Sequence, residues 1–137
     1  MPVFKSVEDA QALLAGALQR AMEMPEVREK FEKANLKILL HYTDPEFDMT
    51  IDSTQRPPLV AVGKPAEEYP NVLTLSCDTG HQFWSGQVNM TKAAVTGQIK
   101  ISGSMAKLIG LVPAVKPVFP VYHELAEELG YKMAGKD

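Results

Sequence analysis

Cysteine is nearly absent from this sequence, which has one thiol, Cys77, in 137 residues. A disulfide within the chain is therefore impossible, and a reducing compartment is the expected environment. The N-terminus lacks the apolar core of a signal peptide, and no apolar run is long enough to span a bilayer. Residues 134–137 carry no peroxisomal address, so we expect a cytoplasmic protein without stable membrane insertion.

Positive charge is also scarce. The chain has 14 lysines and arginines against 17 aspartates and glutamates, and its isoelectric point is about 5.6. Because binding to a phosphate backbone depends on a surplus of lysine and arginine, we expect no nucleic-acid partner. The same balance argues against binding to an anionic membrane by charge alone.

Metal-binding motifs are missing as well. The histidines, His41, His81 and His123, lie far apart, and no His-Glu-x-x-His or Cys-x-x-Cys spacing occurs. Cys77, Asp78 and His81 are close in sequence. The pattern nevertheless favours a buried thiol for Cys77, a helix cap for Asp78 and a surface imidazole for His81. No metal or cofactor is therefore expected.

Catalytic motifs are absent too, since the chain has no Gly-x-Ser-x-Gly elbow and no evident nucleophile–base pair. Asp48 and Asp52 share one strand face and could do acid–base work, but we expect them on the solvent side of a hairpin. A small cavity enzyme would need a polar group deep in a pocket, for which Tyr122, His123 or His81 would be the candidates. We predict a protein that is not an enzyme.

The length of the chain fits one domain, residues 1–137. Within it, apolar residues recur at spacings typical of helices in some segments and of strands in others. The first helix has Ser6 as a cap, and Ser104 should cap a later one. The predicted elements are helices over 7–21 and 26–33, strands over 36–42, 47–52, 59–62 and 71–77, a short helix with Phe83 and Trp84 that ends at Gly86, a helix over 90–95, a strand over 98–102, and helices over 105–112 and 121–129.

This order does not alternate strand and helix, so a doubly wound parallel sheet is not expected. Hairpin-linked strands with segregated helices are typical of an α+β domain. Periodicity alone favours a packed core, because an apolar helix face that lines a cavity has the same pattern as one that fills a core. Seven methionines would nevertheless suit a cavity that accepts varied apolar shapes.

The stretch from Pro70 to Leu111 resembles the sterol carrier protein type-2 family. It combines a strand at 70–76, the segment 87–93 after Gly86, and the run 96–105, which contains Gly-x-Ile-x-Ile-x-Gly-Ser. The resemblance implies an α+β fold, with a five-stranded, mostly antiparallel sheet covered by helices and an apolar tunnel between them.

The same resemblance implies non-catalytic binding or transfer of a sterol, fatty acid, fatty acyl-CoA or phospholipid. The family offers no catalytic residues to carry over. Helix faces and the family architecture together place these residues along the tunnel: Phe83, Trp84, Met90, Val95, Met105, Leu108, Ile109, Val112, Phe119, Tyr122 and Leu125.

Two alternatives remain open at this point. Domains of this type also resemble accessory or scaffold proteins that present a lipophilic intermediate to biosynthetic enzymes, for example in isoprenoid-quinone synthesis. The apolar segment from Leu111 to Tyr122 could instead form an oligomer interface. We expect a monomer or a weak homodimer.

Overall fold

The computed structural model describes residues 2–134 and has an α+β architecture. The elements, in chain order, are α1 Val7–Leu14, α2 Gly16–Ala21, α3 Pro25–Ala34, β1 Lys37–Thr43, β2 Phe47–Asp52, β3 Leu59–Val62, β4 Asn71–Ser76, α4 Cys77–Trp84, α5 Met90–Thr96, β5 Lys100–Ser102, α6 Met105–Gly110, α7 Val112–Val115 and α8 Val118–Leu129. The C-terminal residues 135–137, part of the segment without a peroxisomal address, lie outside this description.

The five strands form one sheet in the order β3-β2-β1-β4-β5. Strands β1 and β4 are parallel, and the other neighbouring pairs are antiparallel. The expectation of a five-stranded, mostly antiparallel sheet is therefore confirmed. The sheet is mixed because the chain returns through β3 and a long loop before β4 joins the other side of β1.

Local signals in the sequence account for most helix boundaries. Ser6 accepts a hydrogen bond from the Asp9 amide at 3.1 Å, and Ser104 accepts one from the Lys107 amide at 3.3 Å. These side chains satisfy amide groups that have no partner inside their helices. Gly86 and Gly97 follow helix ends at a φ of +82° each, in the left-handed region that glycine tolerates best.

Three predicted helix boundaries were wrong. The first helix is divided at Ala15 into α1 and α2, and the helix after Ser104 is divided at Leu111 into α6 and α7. The last helix begins at Val118 instead of Val121, with Pro120 in its first turn. A proline is tolerated there because the first amide groups of a helix have no intrahelical acceptor.

The junction between β4 and α4 also differs from the prediction. Ser76, not Asp78, caps α4, and Cys77 is the first helical residue instead of the last strand residue. The thiol is fully buried, as expected. His81, however, is only 2% exposed and not a surface imidazole. The reason is tertiary, because α4 packs against α1 and α8 and leaves that side of the helix little contact with water.

Strand β2 was predicted to be half exposed, but all of its residues are buried. Asp48 lies with its Oδ1 atom 2.6 Å from His41 Nδ1. Asp52 accepts hydrogen bonds from Thr54 and Gln55. Burial alone would raise the pKa of Asp52, but these hydrogen bonds outweigh it and hold the pKa below its ordinary value. Both carboxylates are thus tied to local partners.

No helix among residues 2–134 is by itself long and apolar enough to cross a membrane. The segments Met105–Val115 and Val118–Leu129 have the length and composition of a membrane span only when they are taken together, and the pair is bent by 66°.

Candidate functional site

A cavity of about 60 Å³ lies between the core face of the sheet and the helices. Only two of its lining side chains, Tyr42 and Trp84, carry an O–H or N–H group. The lining consists of Leu18, Phe31, Ile38, Leu40, Tyr42, Ile51, Leu73, Leu75, Phe83, Trp84, Met90, Ile99, Leu108, Leu111, Val112 and Val115.

Strand alternation builds the floor of the cavity. Ile38, Leu40 and Tyr42 of β1 point to one face, since successive strand side chains alternate between the two faces. Leu73 and Leu75 of β4 lie beside Leu40 and Tyr42 in the parallel pairing. From Ile38 to Tyr42 the floor extends about 13 Å, at about 3.3 Å per residue. The site is therefore a slot along β1.

Short helices form the roof. Phe83 and Trp84 come from the last turn of α4, and their rings meet edge to face with centroids 4.9 Å apart. Leu108 is the one buried residue of α6, and Ala114 is the one buried residue of α7. Because each of these two helices buries so little, the α6–α7 segment is held more weakly than the sheet beneath it.

The structure brings five of the predicted site residues to this cavity. They are Phe83, Trp84, Met90, Leu108 and Val112. Their contact with a ligand stays a prediction.

The other six predicted site residues do not line the cavity. Val95 is 80% exposed and Met105 45% exposed, because α5 buries only Ala93 and α6 only Leu108. Tyr122 and Leu125 are buried within the core, and Ile109 and Phe119 are half-buried.

Sequence reasoning missed the whole floor of the cavity. A strand was predicted over 36–42, but the tunnel was placed only along helices. The alternation in β1 was the available signal. Leu18 and Phe31, which also line the cavity, lie on helices far from the segment that carries the family resemblance, and no local signal could have singled them out.

A buried hydrogen-bonded chain lies behind the cavity and centres on His81. His81 Nδ1 is 2.7 Å from the Tyr122 hydroxyl, and Nε2 is 2.7 Å from the Lys132 carbonyl oxygen. A carbonyl only accepts, so Nε2 carries the proton. Nδ1 therefore accepts from the Tyr122 hydroxyl. All hydrogen-bonding groups of this imidazole are thus occupied.

Burial lowers the pKa of His81 below its ordinary value of 6.5, against opposing contributions from the Lys132 carbonyl and Asp78. The unfolded chain therefore takes up a proton at higher pH than the folded protein does. We expect the contribution of His81 to the free energy of unfolding to be complete above pH 6.5. The free energy of unfolding should then fall as the pH drops below 6.5. Urea unfolding at about pH 7.5 and about pH 5.5 checks this, and His81→Gln should show a shallower decline. An equal decline in both proteins would contradict it.

Tyr42 contrasts with these paired groups. It is completely buried, and its hydroxyl has no hydrogen-bond partner among the described residues. Burial raises the pKa of Tyr42 above its ordinary value and the Trp84 side chain opposes that rise, yet no hydrogen bond of normal geometry joins the two. Tyr42 thus combines a side chain that lines the apolar cavity with a buried hydroxyl that has no partner among the described residues.

Of the three candidates for chemistry, Tyr122 and His81 share the buried hydrogen bond, and neither lines the cavity. His123 lies at the surface, 3.2 Å from Glu127, away from His81. Within residues 2–134, no three histidine, cysteine, aspartate or glutamate side chains are arranged to hold a metal ion.

These features define an α+β domain with helices packed over one face of a mixed sheet and an apolar cavity between the two layers. The sequence profile of the SCP-2 sterol transfer family matches residues 14–116. The chain belongs to this family, which generally comprises non-catalytic lipid-binding domains. Lipid binding or transfer is the function that this membership supports.

Several solved structures share this fold. Sterol carrier protein 2 from Yarrowia lipolytica, in its apo form, is 20% identical, with a TM-score of 0.61 over 88% of this chain and 93% of that one. The sterol carrier protein domain 2 of Helicoverpa armigera is also 20% identical, with a TM-score of 0.64 over 86% and 91%. A ubiquinone synthesis protein named UbiJ-SCP2 is 16% identical, with a TM-score of 0.57 over 86% and 95%. Among curated proteins, no sequence matches this chain significantly.

Proposed function

We propose that this protein binds one long apolar lipid in the slot along β1 and carries it between sites, with the chain acting as one cytoplasmic domain, monomeric or weakly dimeric. The observation that carries the proposal is the continuous apolar lining, in which only Tyr42 and Trp84 have a hydrogen-bonding hydrogen. Each buried methylene of a ligand contributes about 0.8 kcal/mol before ordering costs.

The ligand contacts that we propose come from both layers. Phe83, Trp84, Met90, Leu108 and Val112 form the helical side, and the core face of β1 and β4 forms the other. Val95 and Met105 are left out because they are exposed.

Ligand uptake requires the cavity to widen. About 60 Å³ holds only a few water molecules, which is less than a long acyl chain needs. The α6–α7 segment is the part of the roof that buries least, with one buried residue in each helix. We propose that this segment moves away from the sheet when the ligand enters.

Two tryptophan substitutions test the proposal. Val112→Trp places a large ring in the wall of the slot and should weaken uptake of diphenylhexatriene, a fluorescent hydrocarbon, by about tenfold or more, a loss of about 1.4 kcal/mol or more. Val95→Trp adds the same ring at an exposed site and should leave uptake unchanged. Fluorescence titration measures both, and thermal unfolding verifies that both variants fold. Equal uptake by the two folded variants, or no uptake by the wild-type protein, would refute the proposal.

The likeness to UbiJ-SCP2 favours a second candidate function. In that case the same slot would present a lipophilic intermediate to biosynthetic enzymes. Affinity capture of the tagged protein from its own cells would favour this role if quinone-synthesis enzymes co-purify, and free carriage if only lipid does.

A further inference from the structure

The ring of Tyr42 is fixed in place beside the slot. A Cβ atom at Gly80 of α4 would lie 2.7 Å from Tyr42 Cε1. Any residue other than glycine would therefore clash with the ring at this position. On β2, Phe47 stacks on the same ring with centroids 4.9 Å apart and planes 23° from parallel. The hydroxyl therefore cannot swing away to find another partner.

Two polar groups near Tyr42 already have hydrogen-bond partners. The Tyr122 hydroxyl donates to His81, and the Cys77 thiol donates to the Pro45 carbonyl, 3.2 Å away. Trp84 makes no hydrogen bond of normal geometry with Tyr42. A hydroxyl left unpaired at a buried site is costly, and such groups in native proteins call for an explanation.

We propose that the Tyr42 hydroxyl is a ligand anchor, which donates its hydrogen to a neutral oxygen at the end of a long apolar ligand lying along β1. This inference rests on the proposed function and specifies the ligand class. A terminal hydroxyl or carbonyl fits, because its oxygen can accept the hydrogen bond from Tyr42 and carries no charge.

A carboxylate does not fit the same place. No lysine, arginine or histidine among the described residues lines the slot, and burying an unpaired charge is far more costly than burying a neutral oxygen. Ligands with a carboxylate would have to keep it outside the slot, away from Tyr42. The anchor thus favours alcohols and ketones over fatty acids at this end of the cavity.

A double-mutant cycle between the protein and its ligand tests the anchor. Dissociation constants of dodecan-1-ol, dodecane and dodecanoate are measured by displacement of diphenylhexatriene from the wild type and from Tyr42→Phe. The ratio of the dodecane constant to the dodecan-1-ol constant should fall by about tenfold in Tyr42→Phe, the size of one net hydrogen bond. The dodecanoate constant should change less than twofold relative to dodecane.

Tyr69→Phe is the matched control, because it removes a tyrosine hydroxyl outside the slot and should leave every ratio unchanged. In the wild type, nuclear Overhauser contacts should place the carbinol protons of dodecan-1-ol beside the Tyr42 ring, a result that needs no variant. Tyr42→Phe itself should unfold at the same or a higher temperature, since it removes the unpaired group.

The possible failures are distinguishable. If the wild type binds the hydrocarbon probe but the ratio stays within twofold in Tyr42→Phe, or the carbinol protons contact Ile38 instead, the anchor is refuted and the carrier function stands. If the dodecanoate constant shows the coupling instead, the neutral ligand class is refuted. If the wild type binds none of these molecules, both proposals fail.

Discussion

His81→Ala is expected to lower the free energy of unfolding by about 3–5 kcal/mol, because it leaves a cavity and removes the partners of two polar groups. The Tyr122 hydroxyl would lose its acceptor, and the Lys132 carbonyl would lose its donor. The imidazole also joins α4, which supplies Phe83 and Trp84 to the slot, to α8 and to the segment after it. Its removal should therefore loosen the roof as well as the core.

Urea unfolding measures the loss, with His123→Ala as the matched control. His123 is exposed and hydrogen-bonds to Glu127 on its own helix, so its removal should change stability by less than about 0.5 kcal/mol. The double variant with Tyr122→Phe should lose less than the sum of the single losses, because the two side chains share one hydrogen bond. Additive losses would mean that the hydrogen bond between His81 and Tyr122 adds no stability, and an unaffected His81→Ala protein would mean that the buried chain does not stabilise the fold.

Gly103→Ala is expected to lower the free energy of unfolding by about 3 kcal/mol or more, since it combines an unfavourable backbone angle with a steric clash. Gly103 has a φ of +110°, and an added Cβ would lie 2.5 Å from the Pro70 carbonyl oxygen and 2.6 Å from Asn71 Oδ1. The same Oδ1 accepts a hydrogen bond from the Ser104 amide at 3.1 Å, at the start of α6. A methyl group here would push α6 away from the sheet and disturb the roof of the slot.

Gly97→Ala provides the comparison. Gly97 also has a positive φ, +82°, but an added Cβ would meet nothing within 4 Å. It should therefore cost only the backbone strain, about 1–2 kcal/mol. Thermal unfolding separates the two variants, and diphenylhexatriene uptake at low temperature should decline only in Gly103→Ala. Equal losses in both would show that the contact with Pro70 and Asn71 relaxes without cost.

Much of the fold could be predicted from local signals. The helix end at Gly86 and the caps at Ser6 and Ser104 appear where they were expected. These features involve residues within a few positions of each other, and so the sequence contains all that determines them. The helix breaks at Ala15 and Leu111 were missed, although Gly16 begins α2 and Pro113 lies in the first turn of α7.

The site was less predictable because partners there are distant in sequence. His81 pairs with groups 41 and 51 residues away, and the pattern around it suggested a surface position. Val95 and Leu108 are both apolar residues on short helices, yet one is 80% exposed and the other 4%. The hydrophobic effect is non-directional and depends only on the apolar area removed from water. Periodicity therefore cannot tell which apolar side chain reaches a cavity.

By itself, the sequence determined the class of fold, the positions of its strands and the absence of recognisable catalytic motifs. Each of these depends on residue spacing or on residue type. Only the tertiary structure decided that Ile38, Leu40 and Tyr42 form the floor of a slot under α4 and α6, and that Tyr42 alone keeps an unpaired buried hydroxyl among the described residues. The reason is that a cavity and an unpaired hydroxyl are defined by what surrounds a side chain, and those surroundings come from segments brought together by folding.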